Sequence, residues 1–154
     1  MLSRQEIEQH LKNPNVRKML GVIASAEGVK HGYNTMFGNE RLSDLSKHPG
    51  ILKEFTQTDG KKNKTSAAGR YQFLEPTWNG LAKQLGLKDF SPKSQDIAAV
   101  ALLAQNGALP HVLKGDIPTA VKKSGGTWAS LPSAPDSYKP VSYTHLTLPT
   151  IYSV

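Results

Sequence analysis

No cysteine occurs among the 154 residues, which excludes disulfides, zinc–thiolate centres and iron–sulfur clusters and leaves the redox compartment open. No stretch approaches the ~18 consecutive apolar residues of a membrane-spanning helix, so no stable membrane insertion is expected. The N-terminal MLSRQEIEQHLKNP lacks a continuous apolar segment, and no secretory signal is expected from it. Acidic residues are scarce beside basic ones. Twelve Asp and Glu face 19 Lys and Arg, a net charge of +7, which favours an anionic partner: nucleic acid, an acidic membrane surface or an anionic polymer. Several familiar chemistries are missing too. The five histidines form no His-x-x-x-His pair, no Gly-x-Ser-x-Gly elbow exists, and Gly60 to Thr65 lacks the spacing of a phosphate loop. Asn63-Lys64-Thr65 fits a glycosylation acceptor, which has no bearing without a secretory signal.

What is present is mainly helical. Leu2, Ser3, Glu6 and Ile7 form a capping box with a hydrophobic staple and predict a short helix from about Arg4 to Leu11. Asn13-Pro14 reads as a cap and first-turn proline for a second helix, with Val16, Met19, Leu20 and Ile23 on one stripe and Gly28 as its stop. From Tyr33 to about Phe73 the helical period disappears. That region predicts a small irregular antiparallel sheet with long loops, with β-prone pieces at Tyr33 to Phe37 and Gly69 to Leu74. Its lysine-rich stretch, Asp59 to Lys64, is expected to be a solvated loop able to guide an anionic polymer. Helical spacing returns with Pro76, Trp78, Leu81, Ala82 and Leu85. Ser91-Pro92 then opens a helix that is apolar nearly all round and ends near Gly107, and this one is expected to be central and buried. Shorter helices are expected at Leu109 to Lys114 and Thr119 to Lys123. One domain, residues 1–132, is expected, followed by an irregular proline-rich tail, 133–154, expected to be non-native from about residue 141.

Glu27 is the first candidate for chemistry. It lies four residues after Ile23 and seven after Leu20, on the apolar stripe, and in the last turn, where backbone carbonyls present negative partial charge. Burial and the helix C-terminus both disfavour an ionised carboxylate, so its pKa should rise toward neutrality, as a general acid requires. The alternative is a structural glutamate paired with Lys30 or Arg70. In Ser66 to Gln72, small residues beside Tyr71 and Gln72 would let a bulky ligand approach the backbone and offer stacking and amide hydrogen bonds, which suits sugars. The alternative there is a tight turn into a strand. Trp78 and Trp128 are expected in the core.

These stretches resemble the endolysins of lambda-type bacteriophages, lytic transglycosylases of the lysozyme-like superfamily. The resemblance covers about Leu20 to Pro132. It is carried by Ala26-Glu27-Gly28, His31 to Asn34, Asp44 to Pro49, Gly69-Arg70-Tyr71-Gln72, the long block Gln84 to Asp96, Gly107 to Pro110, Gly115-Asp116-Ile117 and Trp128 to Pro132. It implies an α+β, mostly helical, lysozyme-like fold, with a helical lobe and a small antiparallel sheet flanking a substrate cleft. The implied activity is cleavage of the MurNAc–GlcNAc β-1,4 bond of peptidoglycan with formation of 1,6-anhydro-MurNAc, without metal or other cofactor. Glu27 matches the family's catalytic glutamate, and Tyr71, Gln72 and Ser66 become candidate glycan contacts. The implied partners are peptidoglycan glycan strands, met by a monomer. The implied setting is synthesis in the host cytoplasm and action in the periplasm, with a separate pore-forming protein giving access to the wall. The chain departs from the family in an extended N-terminus, in the absence of a helix after Pro132, and in Asn79 following Trp78 where paired tryptophans can occur. A lysozyme-type hydrolase would need a second carboxylate, for which Asp44, Glu54 and Asp59 are the candidates. A non-catalytic basic module binding peptidoglycan or nucleic acid is the contrasting reading. Scattered lysines without clustered arginines and interleaved aromatics argue against nucleic acid.

Overall fold

The most apolar helix is the axle of the structure, a computed structural model that describes residues 2–132. This helix is α4 (Pro92–Gln105), and the chain opens with α1 (Arg4–His10) and α2 (Pro14–Glu27). Between α2 and α4 come a 3-10 turn (Gly32–Asn34), β1 (Thr35–Met36), β2 (Glu40–Arg41), β3 (Lys53–Thr56), β4 (Lys62–Thr65) and α3 (Glu75–Leu85). After α4 lie α5 (Leu109–Leu113) and α6 (Ile117–Ser124). Every residue of α4 from Ser94 to Leu103 is buried, and α1, α2, α3 and α5 all pack on it. Each large aliphatic side chain so buried stabilises the fold by about 1.5–3 kcal/mol relative to exposure.

The helix ends follow their local signals. Ser3 Oγ accepts from Glu6 N while the Glu6 side chain accepts from Ser3 N, closing the capping box. Asn13 caps α2 through Asn15 N at 2.8 Å, with Pro14 in the first turn. Gly28, at φ 65°, ends α2 in the left-handed region, immediately after Glu27. The late helix is longer than expected because Asp116 caps it, accepting from Thr119 N, so α6 begins at Ile117.

The sheet region differs from expectation. In place of one irregular sheet there are two separate antiparallel hairpins, β1–β2 and β3–β4. Gly69 to Leu74 is not a strand: only single bridges, Met36 to Ala68 and Ala68 to Phe73, knit it to its neighbours. Gln72 N donates to Gly69 O and Gly69 has φ +86°, so the segment is a tight turn. The lysine-rich stretch is only half loop. Asp59-Gly60 makes the turn, and Lys62 and Lys64 belong to β4, where both are exposed. Trp78 and Trp128 are both buried. The tail expected at 133–154 lies outside the described residues.

Candidate active site

The last turn of α2 delivers Glu27 to the junction between the helices and the first hairpin. Gly28 N closes the helix on Ala24 O and Ser25 O at 3.1 Å. The chain then docks on the hairpin: Lys30 N donates to Asn39 Oδ1 at 2.9 Å and His31 N to Thr35 Oγ1 at 3.0 Å. Glu27 is 3% exposed, and neither carboxyl oxygen has a hydrogen bond of normal geometry. Neither Lys30 nor Arg70 pairs with it, which removes the structural ion-pair alternative. Burial holds its pKa well above the usual 4.5, and the nearby Ser130 side chain opposes that by a smaller amount. A carboxyl in this state is protonated where an ordinary glutamate is not, and it can donate a proton.

The turn Gly69–Gln72 docks as a wall on the same hairpin, Gly69 N donating to Thr35 O at 2.7 Å. Tyr71 has no exposed surface; its hydroxyl donates to Asp96 Oδ1 at 2.5 Å and accepts from Arg70 Nη1 at 2.7 Å. Gln72, at φ +52°, is buried, and its Nε2 donates to Gly69 O at 2.8 Å. Ser66, also buried, accepts from Glu75 N at 2.8 Å and so caps α3, whose own N-cap Leu74 has no side-chain acceptor. The three expected glycan contacts therefore lie beneath the surface in this conformation, bracing the turn and a helix end. Trp128 Nε1 donates to Tyr71 O at 3.1 Å, which fastens the segment carrying Ser130 to this wall.

None of the expected second carboxylates is buried beside Glu27. Asp44 is exposed and accepts from Ser46 N at 2.8 Å. Glu54 faces Lys62 across β3–β4 at 3.6 Å, and Asp59 Oδ1 accepts from Lys61 N at 2.9 Å within the hairpin turn. The other buried acid among the described residues is Asp96, which the residue-by-residue reading did not single out. Its signal was a charged residue inside the most apolar helix. Cavities of about 370 Å³, lined by Lys47, His48, Glu75 and Trp78 among others, and about 460 Å³, lined by Glu8, Arg17, Lys93 and Asp96 among others, do not include Glu27. No group of three or more His, Asp or Glu among the described residues is arranged to hold a metal ion.

A helical body, small hairpins and a buried acid at their junction define a lysozyme-like protein. The endolysin family model matches residues 17–153 of the chain. The endolysin of Escherichia phage lambda is 43% identical over 129 residues, covering 78% of this chain and 79% of that one. The endolysin of Escherichia phage P2 is 34% identical over 133 residues, covering 78% and 81%. A solved structure of bacteriophage lambda lysozyme complexed with a chitohexasaccharide is similar, with a TM-score of 0.68 at 43% identity, over 77% of this chain and 80% of that one. The chain belongs to the endolysin family.

Proposed function

We propose that this endolysin, by its family a peptidoglycan-degrading enzyme, cleaves the MurNAc–GlcNAc β-1,4 bond as a lytic transglycosylase. The observation that carries the reading is Glu27: a buried carboxyl, raised in pKa, with no second carboxylate buried beside it among the described residues. The protonated carboxyl donates to the glycosidic oxygen while positive charge develops at C1 of MurNAc. The carboxylate so formed takes the proton from the C6 hydroxyl of the same sugar, O6 bonds to C1, and the 1,6-anhydro ring closes. One residue serves as acid and then base. The tethered hydroxyl has an advantage over water, since intramolecular attack reaches effective molarities of about 10⁵ M or more. The chitohexasaccharide complex of the lambda relative supports a glycan as ligand.

Glu27 is buried in the free protein, so a glycan reaches it as the surrounding wall opens. Ser66, Tyr71 and Gln72 belong to the wall that the glycan then meets. The enzyme works as a monomer, and its +7 charge draws it to the anionic wall. No helix among the described residues is long and apolar enough to cross a membrane. A separate pore-forming protein would open its way from the host cytoplasm, where it is made, to the wall in the periplasm. Mass spectrometry of exhaustively digested peptidoglycan tests the chemistry. Anhydro ends, lighter by one water than hydrolytic ends and resistant to borohydride, are expected. Predominantly reducing MurNAc ends would assign the chain to hydrolytic muramidases and keep Glu27 as the acid.

A further inference from the structure

The cavity of about 370 Å³ beside α3 does not include Glu27, yet it carries charges of both signs, three of them unpaired. At that size it suits a small ligand. Its floor is neutral. Trp78 and Leu87 are buried there, and Trp78 stands edge-on to Phe90 with ring centroids 4.6 Å apart. His48 adds a ring whose nitrogens are both engaged, Nε2 with Phe73 O at 2.8 Å and Nδ1 with Gly50 N at 3.0 Å. Gly50, at φ +63°, has to be glycine, because a Cβ there would collide with Glu75 Oε2. The Glu75 carboxylate thus lies against the main chain as part of the cavity lining.

Four charged side chains surround this floor: Lys47, Lys88, Glu75 and Asp89. Asp89 is occupied, since its Oδ1 accepts from Ser91 N at 3.2 Å and from Ser94 Oγ at 2.7 Å. Lys47, Lys88 and Glu75 make no ion pair among the described residues. Two free ammonium groups and one free carboxylate around an aromatic and aliphatic floor complement a small zwitterion with more carboxylates than amines. Neutral sugar rings offer neither group. The short peptides that substitute peptidoglycan strands offer both: free carboxylates throughout and a free amine on their diamino acid. The cavity also adjoins the segment that the glycan is expected to meet, because Glu75 N donates to Ser66 Oγ at 2.8 Å. A stem of three to five residues spans about 10–17 Å when extended, enough to pass from one to the other. We infer that this cavity binds the peptide stem of peptidoglycan, with Lys47 and Lys88 taking its carboxylates and Glu75 its ammonium group. The inference rests on the reading of the chain as a peptidoglycan-degrading enzyme, and it is independent of which nucleophile attacks C1.

The test is a titration of the whole chain with an N-acetylated stem tripeptide of alanine, γ-linked glutamate and a diamino acid whose side-chain amine is free. Amide and indole NMR signals report the binding. Saturable shifts are expected at Trp78 and along the cavity wall. Lys47→Gln and Lys88→Gln should each weaken binding by up to about fivefold, the upper range for an exposed ion pair. Glu75→Gln should weaken it too, although this change makes the protein more positive. An attraction set by net charge alone would instead tighten the acidic peptide on that variant. Once the side-chain amine of the peptide is acetylated, Glu75→Gln should cost nothing further. In steady-state digestion, Lys88→Gln should raise KM on intact walls while kcat, and the rate on strands stripped of peptide, stay as in wild type. Shifts that do not saturate or that fall away from the cavity overturn the inference, as do tighter binding by Glu75→Gln and an equal loss on intact and stripped strands. Failure of the underlying reading is seen separately, as wild-type protein that leaves purified walls undegraded, and the titration is read without any catalysis.

Discussion

Glu27→Gln should make the protein inactive and, above acidic pH, more stable. Below the ordinary glutamate value of 4.5 the folded and unfolded chains both hold the proton, and the side chain has no pH-dependent effect. Above it the unfolded chain releases the proton while the buried carboxyl keeps it. Stability then falls with rising pH by 2.303RT for each unit, about 1.4 kcal/mol, until the raised folded value is passed. The stabilising protonated state is thus fully present at low pH and lost as pH rises, the sign expected for a raised folded pKa. Glutamine has nearly the same shape and no charge, so the variant lacks this slope. At pH 4 it should match wild type or fall slightly below it, because the amide brings hydrogen-bonding groups into a site that gave the carboxyl no well-formed partner. From pH 5 upward, until the raised folded value is reached, the variant should gain about 1.4 kcal/mol on wild type per unit, or ~3–6 °C in Tm for a chain of this size. Thermal melts of both proteins from pH 4 to 8, taken as a difference, cancel every other titrating group. A difference that stays flat across that range would refute the claim that Glu27 is buried as a neutral acid.

His48 should give the opposite slope. It is buried, its Nε2 faces Phe73 O at 2.8 Å, and its Nδ1 accepts from Gly50 N at 3.0 Å, so the neutral ring fits and its pKa is held below 6.5, chiefly by burial. The stability it contributes is present above pH 6.5 and lost on acidification, and chemical denaturation at pH 7 and 5 should show a component that His48→Gln removes. Gly69→Ala should cost more than about 2 kcal/mol: φ is +86°, and the added Cβ would stand 2.5 Å from Gln95 Oε1 and 2.8 Å from Phe90 Cζ, both buried. Urea unfolding measures this, and a wild-type midpoint would contradict it. Lytic activity should weaken as salt rises, and replacing the exposed Lys61, Lys62 and Lys64 with Gln should flatten that dependence in a turbidity assay. An unchanged salt profile in the triple variant would leave the lysines as ordinary solvated residues.

The sequence by itself determined the features that depend on neighbours a few residues apart. Ser3 with Glu6, Asn13 with Pro14, and Gly28 set helix ends because a cap is satisfied within three residues of chain. Glu27 was legible for the same reason: its place on the stripe of Leu20 and Ile23 is a matter of helical spacing, and so is its burial. The unbroken apolar character of Ile97 to Leu103 announced the axle of the fold. Tertiary structure decided whatever depends on distant pairing. The two hairpins were not separable in advance, because strands of two to four residues carry too little pattern to state their partners. At Gly69–Gln72 local composition offered both a tight turn and a sugar contact; the turn is there, and only the fold shows Tyr71 pointing inward to Asp96, which Arg17 and Tyr33 also reach. The bonds of that hub join residues 79, 63 and 25 positions apart in the chain. No local periodicity encodes such a meeting. A lone Asp in an apolar helix signals only that a buried charge needs partners, and folding α2, the turn after it and the Gly69–Gln72 segment around α4 is what supplies them.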